Sequence, residues 1–162
     1  MNTTYPGERP NIEALLLAIQ SNPNDPTLSH LLTPAHWTVL GAFMQPVALA
    51  PSQILIRQGS DDRTLYFVES GMLTVHFEDS TGKIRLATVT AGSVVGEGGF
   101  FSQMARSATV QAGSACRLWS LTPMRFSELS NRHPTVALAM AMALGAIMAK
   151  RVVSNRRRIA VT

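Results

Sequence analysis

"VVGEGGFFSQMARSATVQA", residues 94–112, decides how the chain is read. A short apolar strand runs into Gly96-Glu97, two more glycines follow, and Arg106 opens another apolar strand. Among small and apolar neighbours the stretch holds one acidic and one basic residue. Ordinary surface charges come scattered among other polar groups, whereas a carboxylate and a guanidinium isolated like this are aimed at something. If "SVV" is a strand and "EGGFF" begins a short helix, the amides of Glu97, Gly98 and Gly99 lie unpaired at its N-terminus, where an anion binds well. Glycine at 98 and 99 lets a ligand approach the backbone with no side chain in the way. Arg106 can offer two parallel N–H bonds to a phosphate. Glu97 has the wrong charge for a phosphate and suits a hydroxyl donor such as a ribose 2′-OH. Together the two describe a nucleotide. The same residues also admit a plainer reading, in which Glu97 and Arg106 pair with each other and tie the loop down.

Outward from this stretch the apolar period is two. "LTVHFE" alternates Leu73, Val75 and Phe77 with Thr74, His76 and Glu78, the pattern of a half-buried strand. Short strands recur every eight to twelve residues, with turns at "RQGSDD", "ESG", "DSTGK", "TAGS" and "AGSA". The strand pattern begins at Pro46 and ends at Leu121. Before it, residues 11–20 read as a helix closed by the Asn/Pro-rich "SNPNDPT", and Thr33-Pro34 caps a second helix through about Met44. After it, Thr122-Pro123 caps a short helix, and an Ala/Met-rich helix runs from 134 to about 157. Helices, some eight short strands, then helices again predict a mainly β protein with flanking helices. The predicted core is an antiparallel barrel of jelly-roll type over residues 46–121.

Composition agrees with one compact domain: 162 residues, 46% hydrophobic and 15% charged. The net charge of +4 is local, because Lys150, Arg151, Arg156, Arg157 and Arg158 cluster near the C-terminus and the rest is close to neutral. That argues against a domain-wide nucleic-acid surface. The single cysteine, Cys116, cannot form an internal staple or a thiolate metal site and reads as a small core residue in a reducing, cytoplasmic setting. "MNTTYPGERP" lacks the pattern of a secretory signal. The longest apolar run, "VALAMAMALGAIMA" from Val136, is short for a bilayer and reads as a buried helix, not a transmembrane segment.

"GEGGFFSQMARSATV" resembles the phosphate-binding cassette of the cyclic nucleotide-binding domain family, whose pattern runs Gly-Glu, a short apolar helix, then Arg-small-Ala-Thr-Val. "ILIRQGSDDRTLYFVESGMLTV", "AGSVVGE", "LTPMRFSEL" and the closing helix are similar as well, as are the turn glycines Gly59, Gly71 and Gly92. The resemblance implies an N-terminal helical extension over 1–30 and the binding domain over 31–158, with the cassette at 96–109 and C-terminal helices at 123–158. It implies a sensor similar in this domain to the cyclic-AMP receptor protein and the regulatory subunit of protein kinase A, and at this length the expectation is a stand-alone sensing domain or a fragment of a longer protein. Such a sensor has no catalytic activity or cofactor of its own, and its ligand is cAMP or cGMP. By position, Arg106 would hold the cyclic phosphate and Glu97 the ribose 2′-OH. The cradle would be completed by Gly96, Gly98, Gly99, Ser107 and Ala108, and Val75, Leu86 and Ala87 would line the base. Ser107 offers a hydroxyl that suits a guanine in the syn pose and equally suits the phosphate. The chain departs from the pattern at Gly98-Gly99, where an apolar and a small residue are usual, and at Ala105, where proline is frequent.

Rival readings are an empty pocket on the same fold that serves protein interaction, and a cupin-like metal enzyme. For a metal, His76 and Glu78 with His133 imitate a two-His-one-carboxylate set, but Leu73, Val75 and Phe77 claim the inner face and His133 stands at a helix start. No "GxSxG" occurs for serine catalysis. The family's transcription factors continue into a helix-turn-helix, and this sequence shows no such DNA-reading element before Thr162. The expected output is therefore an unknown protein partner or a homodimer through the C-terminal helix. There Ala139, Ala143 and Ala146 allow close approach and Met140, Met142 and Met148 are adaptable fillers, for packing on the domain's own barrel or against a second copy.

Overall fold

The computed structural model describes residues 11–160, and the side chains of all of these except Arg85 and residues 155–160. Helix α1 (Glu13–Gln20) and the short α2 (Thr27–Leu31) lead into α3 (Pro34–Gly41). At α3, Thr33 Oγ1 accepts the His36 N–H and His36 Nδ1 accepts the Thr33 N–H, each at 3.2 Å, so two amides at the helix start are satisfied reciprocally. The helix stops at Gly41, three residues before the predicted end at Met44, because Phe43 and Met44 turn inward and are buried as the chain enters the barrel.

Eight strands follow: β1 (Gln45–Leu49), β2 (Ile54–Ile56), β3 (Leu65–Ser70), β4 (Leu73–Glu78), β5 (Ile84–Val89), β6 (Val94–Val95), β7 (Thr109–Ala112) and β8 (Cys116–Leu121). They form two antiparallel four-stranded sheets, ordered β1-β8-β3-β6 and β2-β7-β4-β5. Helix α4 (Glu97–Ser102) interrupts the strands between β6 and β7, and α5 (Pro123–Arg132) and α6 (Pro134–Ala160) close the chain. The predicted jelly-roll barrel with helices at both ends is the observed architecture.

The central strands of the first sheet, β3 and β8, are covered on both faces. Leu65 and Phe67 of β3, with Trp119 and Leu121 of β8, pack under the helices in one core. Val68 and Leu118 turn to the other face and join Leu49, Ile56, Leu73, Val110 and Cys116 between the sheets. Double coverage explains why "LYFV" is apolar throughout, since both pleat directions are buried. In the second sheet, which the helices leave uncovered, β4 runs from buried Leu73 to exposed Phe77 and Glu78. Gly59, Gly71 and Gly92 all adopt positive φ, as turn glycines do. Gly92 also admits α1: a Cβ there would stand 2.3 Å from the Ala18 carbonyl oxygen.

Helix α6 lies across this assembly with Met140, Ala143 and Leu144 fully buried. Counted through to Ser154, the helix offers a 21-residue span whose apolar 18-residue stretch has a mean hydropathy of 1.8, long and apolar enough by composition to cross a membrane, so the shorter run read from the sequence understated it. A third of that stretch is buried within the domain, where it contacts α2, α3, α4 and α5. The opposite side leaves Leu138, Met142, Val152 and Val153 exposed. Met140→Ala is expected to destabilise the fold by about 2–5 kcal/mol through the cavity it leaves. Met142→Ala, two residues on and facing out, should stay within about 0.5 kcal/mol. Urea unfolding of the two variants checks whether α6 belongs to the folding unit.

Candidate ligand site

The chain leaves β6 through Gly96, whose φ of +88° lies in the left-handed region, and starts α4 at Glu97. Helix α4 ends at Ser102, followed by the left-handed Gln103, and a loop returns the chain to β7. Arg106 lies in that loop, three residues before β7, and not on a strand as the sequence suggested. Its backbone is fixed against the β2–β3 loop, where its N–H donates to Ser60 O at 2.8 Å and its carbonyl accepts the Gly59 N–H at 2.7 Å.

The Arg106 side chain folds inward and is only 3% exposed. Nη1 donates to Gly96 O at 2.9 Å, while Nη2 donates to Thr64 O at 2.5 Å and to Asp62 Oδ2 at 2.7 Å. Nε is buried without a hydrogen-bond partner among the described residues. Burial pushes the Asp62 carboxyl up, but the hydrogen bonds from Arg106 and Thr64 outweigh it and hold the group below the usual carboxylate range. The stability this pair contributes is therefore present above the ordinary carboxylate pKa and is lost as pH falls through the lowered one. Tyr66, on β3 nearby, is pushed the other way, first by burial and then by the negative Asp62.

Glycine is required where Arg106 passes. A Cβ on Gly96 would stand 2.8 Å from Arg106 Nη1 and equally close to Thr64 O, and one on Gly99 would stand 3.0 Å from Nη1. Gly98 points into open space. Two of the glycines at the start of α4 therefore make room for a guanidinium of the protein itself.

Glu97 is largely buried and is bound by Arg151 of α6. Arg151 also donates from Nη2 to Val94 O at 2.9 Å, and the adjacent Lys150 bonds Thr27 Oγ1 at 2.5 Å and Asp25 Oδ1 at 3.2 Å. Glu97 and Arg106 are thus not each other's partners; each has found another. Arg151 was read from the sequence only as part of a basic cluster, and Asp62 only as a turn residue. The signal for Asp62 lay in Asp62-Arg63-Thr64, where its Oδ1 accepts the Thr64 N–H at 3.2 Å and the Thr64 hydroxyl at 2.8 Å, a turn that aims the other oxygen at Arg106. For Arg151 no local signal exists, since its partner is 54 positions away.

Of the remaining candidates, Ser107 is exposed and Ala108 half-buried on the loop beside Arg106. Val75 pairs with Ala87 on β5 and with Val110 on β7, so one rung joins all three. Leu86 pairs with His76 and is 69% exposed. Because neighbours on a strand face opposite ways, Leu86 stands on the other face from Val75 and Ala87 and cannot share their wall. The metal reading finds no support in placement. His76 Nε2 lies 3.0 Å from Thr74 Oγ1, and the His133 ring packs edge-on against Phe43. Among the described residues no three His, Cys, Asp or Glu side chains gather as a metal would need.

The sequence model of the cyclic nucleotide-binding domain matches residues 46–133. The chain is 32% identical over 130 residues to the cAMP-activated global transcriptional regulator CRP of Escherichia coli, an alignment that takes in 78% of this chain and 55% of that protein. It spans about half the length of the curated relatives of this kind that it matches. A cyclic nucleotide-binding domain from Methylobacillus flagellatus has the same fold, with a TM-score of 0.79 over 92% of this chain and 82% of its own at 20% identity. The regulatory domain of Toxoplasma gondii PKA, solved with cAMP, superposes with a TM-score of 0.62 at 28% identity over 77% of this chain and 46% of its own.

The glycine geometry has a direct test in stability. Gly96→Ala and Gly99→Ala are expected to cost about 1–3 kcal/mol each, because the added methyl must displace Arg106 or the Thr64 carbonyl. Gly98→Ala should be neutral or gain up to about 1 kcal/mol from helix propensity. Urea midpoints for the three variants give the comparison.

Proposed function

The chain belongs to the cyclic nucleotide-binding domain family, and from that premise we propose that it is a non-catalytic, cytoplasmic sensor of cAMP or cGMP that signals by repositioning α6. The observation behind the reading is Arg106: a guanidinium almost wholly buried beside the start of α4, with its Nε unsatisfied, in the loop where the family's cassette holds its phosphate. A buried cation is costly unless its donors are matched by an anion. In this reading Arg106 takes the cyclic phosphate with the amides around Gly96, Gly98, Gly99, Ser107 and Ala108, Glu97 takes the ribose 2′-OH, and Val75 and Ala87 face the base.

Glu97 links binding to output. Its carboxylate is held by Arg151, so a ribose hydroxyl that bonds Glu97 alters what holds the C-terminal part of α6 to α4. The ligand can move the helix only by its differential affinity for the two positions. Arg156, Arg157 and Arg158 would move with the helix; their side chains lie outside the described residues. The outward side of α6 offers the contact for a second copy, since Leu138, Met142, Gly145, Ala149 and Val152 recur at alternating spacings of four and three and are all exposed.

The second reading, an interaction module with no nucleotide, draws on one fact: both Arg106 and Glu97 already have partners within the chain. Calorimetric titration with cAMP, cGMP and a cyclic dinucleotide separates the two. If the sensor reading is right, Arg106→Ala weakens binding about 30-fold to several thousand-fold, and Arg106→Lys recovers little of it. Glu97→Gln should weaken the ribose nucleotide far more than its 2′-deoxy analogue. No heat from any nucleotide with the wild-type fold would favour the interaction module.

The coupling is tested separately. Hydrogen exchange across residues 134–154 should change on nucleotide addition in the wild type, and that change should shrink in Arg151→Ala. Changes confined to residues 94–112 would leave a binding domain without a moving helix.

A further inference from the structure

Asp62 occupies the part of Arg106 that a phosphate needs. A guanidinium grips an anion with two parallel N–H bonds along one of its two open edges, Nε with Nη2 or Nη1 with Nη2. Both edges include Nη2. In the structure Nη2 already donates twice, to Asp62 Oδ2 at 2.7 Å and to Thr64 O at 2.5 Å, and it has only two hydrogens to give. The donors left over are Nε and one N–H of Nη1, which share no edge. A bidentate phosphate must therefore displace either the Asp62 carboxylate or the Thr64 carbonyl.

The two are not equally displaceable. The Thr64 carbonyl sits one residue before β3, and that strand is held by both β6 and β8. Asp62 lies in the β2–β3 loop with its side chain 46% exposed, so water can solvate the carboxylate once it lets go. Its second oxygen stays anchored by Thr64, which keeps the carboxylate within reach to return. We propose that Asp62 is an internal anion that competes with the ligand's phosphate for Arg106 and so sets the affinity of the site. This rests on the nucleotide-sensor reading. Asp62 is then a specificity-determining residue: it raises the threshold for every anion that would enter, and a ligand must bring further contacts, such as a ribose on Glu97, to exceed it.

The test is a titration with cAMP and cGMP on the full chain as wild type, Asp62→Asn, Asp62→Ser and Asp61→Asn. Asparagine keeps the oxygen that accepts from Thr64 and removes the charge. Serine keeps a short turn-forming hydroxyl and shortens the reach to Arg106. Asp61→Asn removes an exposed neighbouring charge that forms none of the Arg106 bonds, and so controls for net charge. Competition predicts tighter binding in both Asp62 variants by about fivefold or more, the change that corresponds to about 1 kcal/mol, and none in Asp61→Asn. The melting temperature without ligand should fall in the Asp62 variants, since Arg106 loses its anion, while the rise on adding nucleotide should exceed that of the wild type. Binding by an Asp62 variant where the wild type binds nothing would support the inference in its strongest form. Wild-type binding with unchanged or weaker binding in both Asp62 variants would overturn it and make Asp62 a positioning residue for Arg106. No binding by any of the four folded proteins would overturn the sensor reading, and this inference with it.

Discussion

A guanidinium buried between the β2–β3 loop and the start of α4 constrains everything around it. Arg106 cannot shed its charge, so its donors must be met by fixed acceptors or the fold bears the desolvation cost. Three acceptors from three segments converge on it: the Gly96 carbonyl at the start of α4, the Thr64 carbonyl before β3 and the Asp62 carboxylate from the β2–β3 loop. Its own backbone is bonded into that same loop through Ser60 and Gly59. The glycines at 96 and 99 follow from this arrangement, since a side chain at either would intrude on the guanidinium.

The second charged pair works at longer range. Arg151 reaches from α6 to Glu97 and to the Val94 carbonyl, so strand β6 and the first residue of α4 are both held by the C-terminal helix. One position earlier, Lys150 holds the α1–α2 segment through Asp25 and Thr27. The helix core supplies the bulk of the adhesion through Met140, Leu144 and Ile147, while these polar contacts fix where the exposed end lies. Dispersion and area burial are non-directional, and position at the end of a helix needs directional bonds. A single carboxylate, Glu97, thus belongs both to the candidate site and to the seam with α6.

The two sheets divide the labour. In the β1-β8-β3-β6 sheet the central strands β3 and β8 bury residues on both faces and make the floor on which the helices rest. The β2-β7-β4-β5 sheet leaves its outer face and the end of the β4–β5 hairpin to solvent, and offers Val75 and Ala87 as a partly open wall. A ligand site needs a fixed frame with an accessible side. This fold supplies both.

What the sequence by itself determined was whatever local rules govern. The alternation in "LTVHFE", the Thr-Pro caps at 33–34 and 122–123, the turn glycines and the lone Glu97 and Arg106 could be read directly, because pleat, cap and turn depend on residues within a few positions. The same locality singled out residues 94–112 as the candidate ligand loop. The partners of its two charges were decided only by the tertiary structure. Asp62 lies 44 positions before Arg106 and Arg151 lies 54 positions after Glu97, and neither pairing leaves a periodicity to detect. Leu86 shows the same limit on a small scale: its chemistry suited the wall, but the register with His76 turned it to the other face. Ion pairs and register are fixed by where the packed sheets and helices bring distant groups, and that placement is a property of the whole core, not of any stretch of the chain.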